Sequence, residues 1–276
     1  MAKTPERNDA RSGHKWRPDK GISRGPGGRH GARARPRADG ISEDWIWGWH
    51  TVEAALANPR RGPPERLLAT PERARQLEAK FARPAHLQVV DNQAIAQSLP
   101  QGAVHQGVAM RGAPLEDWAL ADFTPVRGAV LLMLDQVTDP QNVGAILRSA
   151  AAFGAAGVVL QDRHAPKLTG ALAKAAAGAV DKVPAAHVVN LARALDELST
   201  AGWRTVGLAG DGGRPLAQVL DGAPTVLVLG SEGEGLRRLV AEHCDELAAI
   251  PMPGGFESLN VSAAAAVALY EATRPR

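Results

Sequence analysis

Residues Gly128–Met133 read GAVLLM, a near-continuous apolar run. A strand with one face in water would alternate apolar and polar side chains. An unbroken run belongs to a strand buried on both faces, as in parallel sheets covered by helices. From this point the chain alternates short apolar runs with helical patterns. The expected elements are strand 128–134, helix 142–153, strand 157–160, helix 168–178, strand 183–188, helix 190–201, strand 203–208, strand 225–229, helix 235–243, strand 247–250 and helix 260–273. This is α/β with a mostly parallel sheet. Ligands of such sheets lie beyond the carboxyl ends of the strands. Asp135–Asn142, Ala209–Gly213, Gly230–Gly235 and Ile250–Asn260 all begin at such ends.

The chain before this run has a different texture. Residues 1–40 carry 11 Lys/Arg against 4 Asp/Glu, a net of +7 in a chain whose total is +3. They are rich in Arg, Gly and Pro and offer little apolar surface to offset ordering entropy, so a disordered basic arm with affinity for nucleic-acid phosphates is expected. Residues 41–112 read as a small α/β unit: an aromatic-rich entry at Trp45, Trp47 and Trp49, helix 51–57, strand 66–70, helix 72–81, strand 86–90, helix 92–98 capped by Asp91, and strand 107–110. Packing at an edge is the expected role of the tryptophans. Arg60, Arg61 and the His105-Gln106-Gly107 turn are candidate RNA contacts. Residues 113–127 are polar, proline-containing and aperiodic, a linker or docking segment, and 128–276 form the larger α/β unit.

Several classes are disfavoured. A single cysteine, Cys244, rules out an internal disulfide framework and a multi-cysteine metal site, and fits a reducing cytosol. No metal is expected. No apolar run approaches the roughly 18 residues of a membrane span, and no secretory signal is evident. Neither G-x-G-x-x-G nor G-x-x-x-x-G-K-[ST] occurs, nor does G-x-S-x-G, which argues against a dinucleotide dehydrogenase, a P-loop NTPase and a hydrolase.

The strand-end loops carry the chemistry. Asp139, just before Pro140, suits a helix cap better than one half of a carboxylate pair with Asp135. Asn142 and Arg148 lie six residues apart in the first helix; Arg148 reads either as a cation aimed at a phosphate or oxyanion, or as half of a structural ion pair. Gly230-Ser231-Glu232-Gly233-Glu234-Gly235 lets a ligand approach backbone closely. Its carboxylates disfavour a phosphate cradle and suit a ligand neutral or cationic at its reactive part, unless they merely charge a helix start. In the last loop Ser258 is the expected cap, and Asn260, read as just inside the helix, suits ligand or backbone bracing.

Asn142-Val143-Gly144 with Arg148, the Gly230–Gly235 stretch, and IPM…SLNVS at Ile250–Ser262 resemble the three motifs of the SpoU (TrmH-type) branch of the SPOUT RNA 2′-O-methyltransferases. The resemblance covers about residues 129–276. Trp47–Leu56, His105–Met110, TDPQNVGA, GEGLRRL and EHCDEL are similar to the RlmB-like subgroup, which methylates guanosine in 23S ribosomal RNA. The basic arm is an addition to that pattern, and Pro253 and Phe256 make the third-motif turn unusual.

The resemblance implies an α/β-knot fold, with the C-terminal segment threaded as a trefoil, a small N-terminal RNA substrate-binding domain, S-adenosylmethionine as cofactor and a cytoplasmic homodimer. Carried onto this chain, Gly210, Gly230, Ile250, Met252 and Leu259 would hold the cofactor. Asn142, Arg148, Glu232, Ser258 and Asn260 would surround the reacting ribose. Family proposals make the motif-one arginine the base; with its pKa above about 12, Arg148 reads better as an electrostatic clamp on the developing alkoxide. The alternatives are a tRNA ribose methyltransferase of the same family and a non-catalytic RNA-binding protein with the same fold.

Overall fold

The computed structural model describes residues 44–82, 84–163, 165–210, 214–255 and 258–275. The basic arm expected over 1–40 lies outside the described residues, as does Phe256. All the described residues belong to one compact unit.

The smaller sheet contains β1 (Trp45–Trp47), β2 (Arg66–Ala69), β3 (Leu87–Val89) and β4 (Val108–Arg111), in the order β1-β4-β2-β3. β4 runs antiparallel to β1 and β2, while β2 and β3 are parallel. Its helices are α1 (Trp49–Ala57), α2 (Pro71–Phe81) and α3 (Asn92–Gln97). Pro71 sits in the first turn of α2, where a missing N–H leaves nothing unpaired. Asp91 caps α3, accepting from the Ala94 N–H at 2.8 Å. The aromatic entry is itself a strand. Pairing with β4 places Trp45 and Trp47 in the interior, 4% and 6% exposed, so neither is free to stack on a base.

The larger sheet is parallel throughout and seven-stranded, in the order β7-β6-β5-β10-β8-β11-β9. Its strands are β5 (Val130–Leu134), β6 (Gly157–Gln161), β7 (Ala185–Val188), β8 (Arg204–Leu208), β9 (Arg214–Pro215), β10 (Thr225–Leu229) and β11 (Glu246–Ala249). β5 and β10 are buried at every position, as their unbroken apolar runs require. The helices are α4 (Pro140–Ala152), α5 (Gly170–Ala176), α6 (Leu191–Thr200), α7 (Leu216–Val219), α8 (Arg238–Glu242) and α9 (Val261–Thr273). α4 packs on α5 and α9 over one face, and α6 contacts α8. At Gly144 a Cβ would lie 2.6 Å from that of Ala175, so only glycine lets α4 and α5 approach this closely.

β9 and α7 have no counterpart in the sequence reading. A two-residue strand has no period to detect, and α7 shows only Leu216 and Val219 turned inward. Residues 113–127 dock rather than dangle. The Trp118 N–H donates to the Ala185 carbonyl at 2.8 Å, the Trp118 ring stacks on Phe123, and Phe123 is buried in a core cluster with Leu131, Met133 and Trp203. Arg61 also belongs to this seam. Its guanidinium grips Asp181 through Nε at 2.8 Å and Nη2 at 3.3 Å, with the side chains 4% and 1% exposed. Arg60 stacks over Trp118 at 5.1 Å. Arg61 is therefore a buried joint rather than an RNA contact, because removing it from Asp181 would strand a buried carboxylate.

Candidate active site

From β5 the chain steps one way along the sheet to β6 and β7, then crosses β5 and β10 to β8. A reversal of this kind opens a crevice at the carboxyl ends of the strands. β5 and β10 lie side by side there, followed by Asp135–Asp139 and by Gly230–Gly235 respectively.

The glycine loop takes its shape from backbone. Ser231 and Gly235 exchange N–H···O bonds, each 3.1 Å, which folds the loop into a tight bridge. A Cβ on Gly230 would lie 2.0 Å from the Gly235 carbonyl carbon, so no side chain fits there. This bridge postpones the next helix. α8 starts at Arg238 rather than at 235, so Glu232 and Glu234 sit on a loop and are not helix-start charges.

A cleft of about 660 Å³ opens between this loop, the end of β8 and the start of α9. All five residues assigned to the cofactor, Gly210, Gly230, Ile250, Met252 and Leu259, line it, and so do Glu232 and Ser258. Leu229 and Val261 extend the apolar wall, while Glu232 and Glu234 supply negative charge. Apolar walls suit a flat heterocycle, open backbone suits its polar edge, and carboxylates suit a nearby cation. The residues present therefore fit a cofactor that joins adenine to a sulfonium.

Glu232 also meets two side chains from distant parts of the chain. Asn142 Nδ2 donates to Glu232 Oε1 at 2.9 Å. Asn260 Nδ2 donates to Asn142 Oδ1 at 3.0 Å and also to Glu232 Oε1. The amide of Asn260 is oriented by its other end, where Oδ1 accepts from the Ser262 and Ala263 N–H groups at 3.0 and 3.3 Å. Asn260, not Ser258, is thus the cap of α9. The expectation that Asn260 lies inside the helix is corrected by one residue, and its presence has a local reason as well as a site reason. Asp139 likewise caps α4, accepting from the Gln141 and Asn142 N–H groups at 3.2 and 3.3 Å.

Arg148 stands apart from this cluster. It is exposed on α4, does not line the cleft, and makes no hydrogen bond or ion pair among those seen for the described residues. Among the described residues the structural ion pair considered for it is not formed, which leaves its charge available to a ligand.

The sequence reading missed a second polar group beneath the loop. Asp135 is fully buried and binds Arg237 three ways: Nε at 2.7 Å, Nη2 at 2.7 Å and the backbone N–H at 2.9 Å. Arg237 Nη2 also donates to Gln161 Oε1 at 3.1 Å. The pair spans 102 residues, so no local spacing announces it. The only signal was a carboxylate placed directly after a fully buried strand.

Fold and cleft together define a parallel α/β protein with a ligand site at the point where strand order reverses. A model described as the SpoU rRNA methylase family matches residues 129–270, and one described as RNA 2′-O ribose methyltransferase substrate binding matches 45–118. The chain belongs to the SpoU rRNA methylase family. Among curated relatives, 23S rRNA (guanosine-2′-O-)-methyltransferase RlmB of Xylella fastidiosa is 44% identical over 230 residues, 82% of this chain and 87% of that protein. An uncharacterised tRNA/rRNA methyltransferase of Synechocystis is 40% identical over 244 residues; the match covers 84% of this chain and 63% of the longer relative. Among solved structures, the AdoMet-bound rRNA methyltransferase from Sinorhizobium meliloti superposes with a TM-score of 0.71 at 27% identity, covering 83% of this chain and 85% of that one.

Proposed function

We propose that this protein is an S-adenosylmethionine-dependent RNA ribose 2′-O-methyltransferase that modifies a guanosine of 23S ribosomal RNA. The observation that carries the reading is the Asn142–Glu232–Asn260 cluster beside the apolar cleft. Three strand-end loops, far apart in sequence, converge there. The activity of the Xylella relative supports the choice of substrate.

The bound cofactor supplies an electrophilic methyl group. The remaining work belongs to this chain. Gly210, Gly230, Ile250, Met252 and Leu259 hold and orient the cofactor in the cleft. Asn142, Glu232, Ser258 and Asn260 would position the ribose and orient its 2′-oxygen toward the methyl group that the cofactor supplies. Glu232 accepts from both asparagines, which fixes where each amide presents its remaining donor and acceptor. Arg148 stabilises the negative charge that develops on the 2′-oxygen while its proton passes to solvent water, and neutralises the adjoining phosphate.

Residues 41–112 serve as the RNA-binding unit, 113–127 as its docked connection and 128–276 as the catalytic unit, with 1–40 a basic arm on RNA phosphates. The working form is a cytoplasmic homodimer. Val267 and Tyr270, 43% and 59% exposed on α9, offer apolar surface for a second copy. The knotted path of the last segment is inferred with the fold, since α9 returns from β11 to pack on α4, β5 and β10. Among the described residues no helix is long and apolar enough to cross a membrane, and no group of three or more His, Cys, Asp or Glu is placed to hold a metal.

Transfer of tritium from labelled S-adenosylmethionine into unmodified ribosomal RNA and into tRNA tests the reading. Label in 23S RNA supports it. Label in tRNA alone favours the tRNA enzyme. Tight RNA binding without label favours a non-catalytic binder.

A further inference from the structure

The buried carboxylate of Asp135 has no part in the chemistry above. It lies in the interior at the root of the site, one residue past β5 and seven before Asn142. Buried ion pairs are poor sources of net stability, and their best-attested use is to fix one arrangement among several. The position of Asp135 shows which arrangement is at stake. Its partner, Arg237, is the second residue after the Ser231–Gly235 bridge, and binds through both its guanidinium and its own N–H. The exit of the glycine loop is therefore pinned to the start of the Asn142 loop by two hydrogen bonds and a further guanidinium contact to one carboxylate. Gln161, at the end of β6, accepts from Nη2 of the same guanidinium at 3.1 Å, and Gln136 Nε2 donates to the same Gln161 oxygen at 3.0 Å.

The tip of the pinned loop carries Glu232, on which Asn142 and Asn260 converge. With glycine at 230, 233 and 235 the loop has many backbone conformations open to it. The internal bridge closes it, and the Arg237 anchor ties its exit to the root of the segment carrying Asn142. We propose that Asp135 and Arg237 are positioning residues for methyl transfer, holding Glu232 in register with Asn142 and Asn260 without touching cofactor or RNA. The proposal rests on the methyltransferase reading.

Arg237→Lys keeps the charge and the backbone N–H but removes the guanidinium's grip on Asp135 and Gln161. The test is single-turnover methyl transfer to 23S RNA by wild type, Arg237→Lys, Glu232→Gln and the double variant, with thermal unfolding of each. A misplacement near 1 Å costs on the order of 10²-fold in rate. Arg237→Lys is expected to lose roughly 10- to 100-fold in rate at saturating RNA, with the RNA concentration for half-maximal rate unchanged. In the Glu232→Gln background the same substitution is expected to cost less than about 3-fold, because the group it positions is already gone. An equal loss in both backgrounds, an unchanged rate, or a rise in the RNA requirement alone would each overturn the proposal. Should Arg237→Lys unfold at a clearly lower temperature, Gln161→Ala, which loosens the same guanidinium without removing a charge, is read by the same cycle and the same criteria. Failure of the wild-type protein to transfer methyl would instead overturn the underlying function.

Discussion

Asn260 does two jobs, and they can be separated. Its Oδ1 caps α9 through the Ser262 and Ala263 N–H groups, and its Nδ2 bonds Asn142 and Glu232. Asn260→Ala removes both. Loss of the cap costs about 1 kcal/mol, a fall in Tm of roughly 2–4 °C for a folded body of this size. Loss of the two site hydrogen bonds, one to a carboxylate, removes about 1–3 kcal/mol of ordering at the ribose, or roughly 10- to 100-fold in transfer rate. Cofactor affinity falls severalfold as well, because Leu259 and Val261 on either side line the cleft. Asn260→Ser keeps a capping oxygen and lacks the amide donor. It is expected to retain the wild-type Tm while losing transfer as Asn260→Ala does. Differential scanning calorimetry and single-turnover transfer measure the two effects side by side. Wild-type transfer by Asn260→Ser would refute the reasoning and reduce Asn260 to a helix start.

Arg148→Ala is expected to abolish methyl transfer and leave cofactor affinity largely intact, as read by equilibrium binding beside a transfer assay; unchanged turnover would sink its assignment. Gly230→Ala should eliminate measurable cofactor binding, because its Cβ would meet Gly235 at 2.0 Å and force the loop open. Burial, then Asp245 and Asp135, push the Cys244 thiol from its ordinary 9.0 up to about 12. The folded protein therefore keeps a proton that the unfolded chain releases, so this group's contribution to stability is intact below about pH 9 and is lost between there and about 12. Alkylation at pH 8 should be slow in the native protein and fast in denaturant, and rapid native labelling would contradict that placement. Deleting residues 1–40 should weaken RNA binding and flatten its salt dependence, and an unchanged salt slope would make the arm a bystander.

Much of this was legible in the sequence because it is local. The runs at 130–134 and 225–229 announce doubly buried strands, and both form. The positions of the glycines and of Asn142, Glu232 and Asn260 at strand ends place them at one edge of a parallel sheet. Other features were hidden because their causes are not local. α8 begins three residues later than its pattern indicates, since a backbone bridge between Ser231 and Gly235 takes up the start of that segment. Asn260 became the cap in place of Ser258, a shift no propensity resolves. Arg61 reads as one of a pair of exposed arginines, yet it reaches Asp181, 120 residues away. The Asp135–Arg237 pair is likewise visible only once β5 and β10 lie side by side.

We infer that the cluster of Asn142, Glu232 and Asn260 beside the cleft directs methyl transfer to a ribose oxygen. Ribose-methylation mapping of unmodified 23S RNA, incubated with the protein and S-adenosylmethionine, tests it most directly. A new 2′-O-methyl group is expected at a guanosine, absent when Asn142 or Glu232 is replaced by alanine. A methyl group on a base, or a 2′-O-methyl group that persists in both variants, would contradict it.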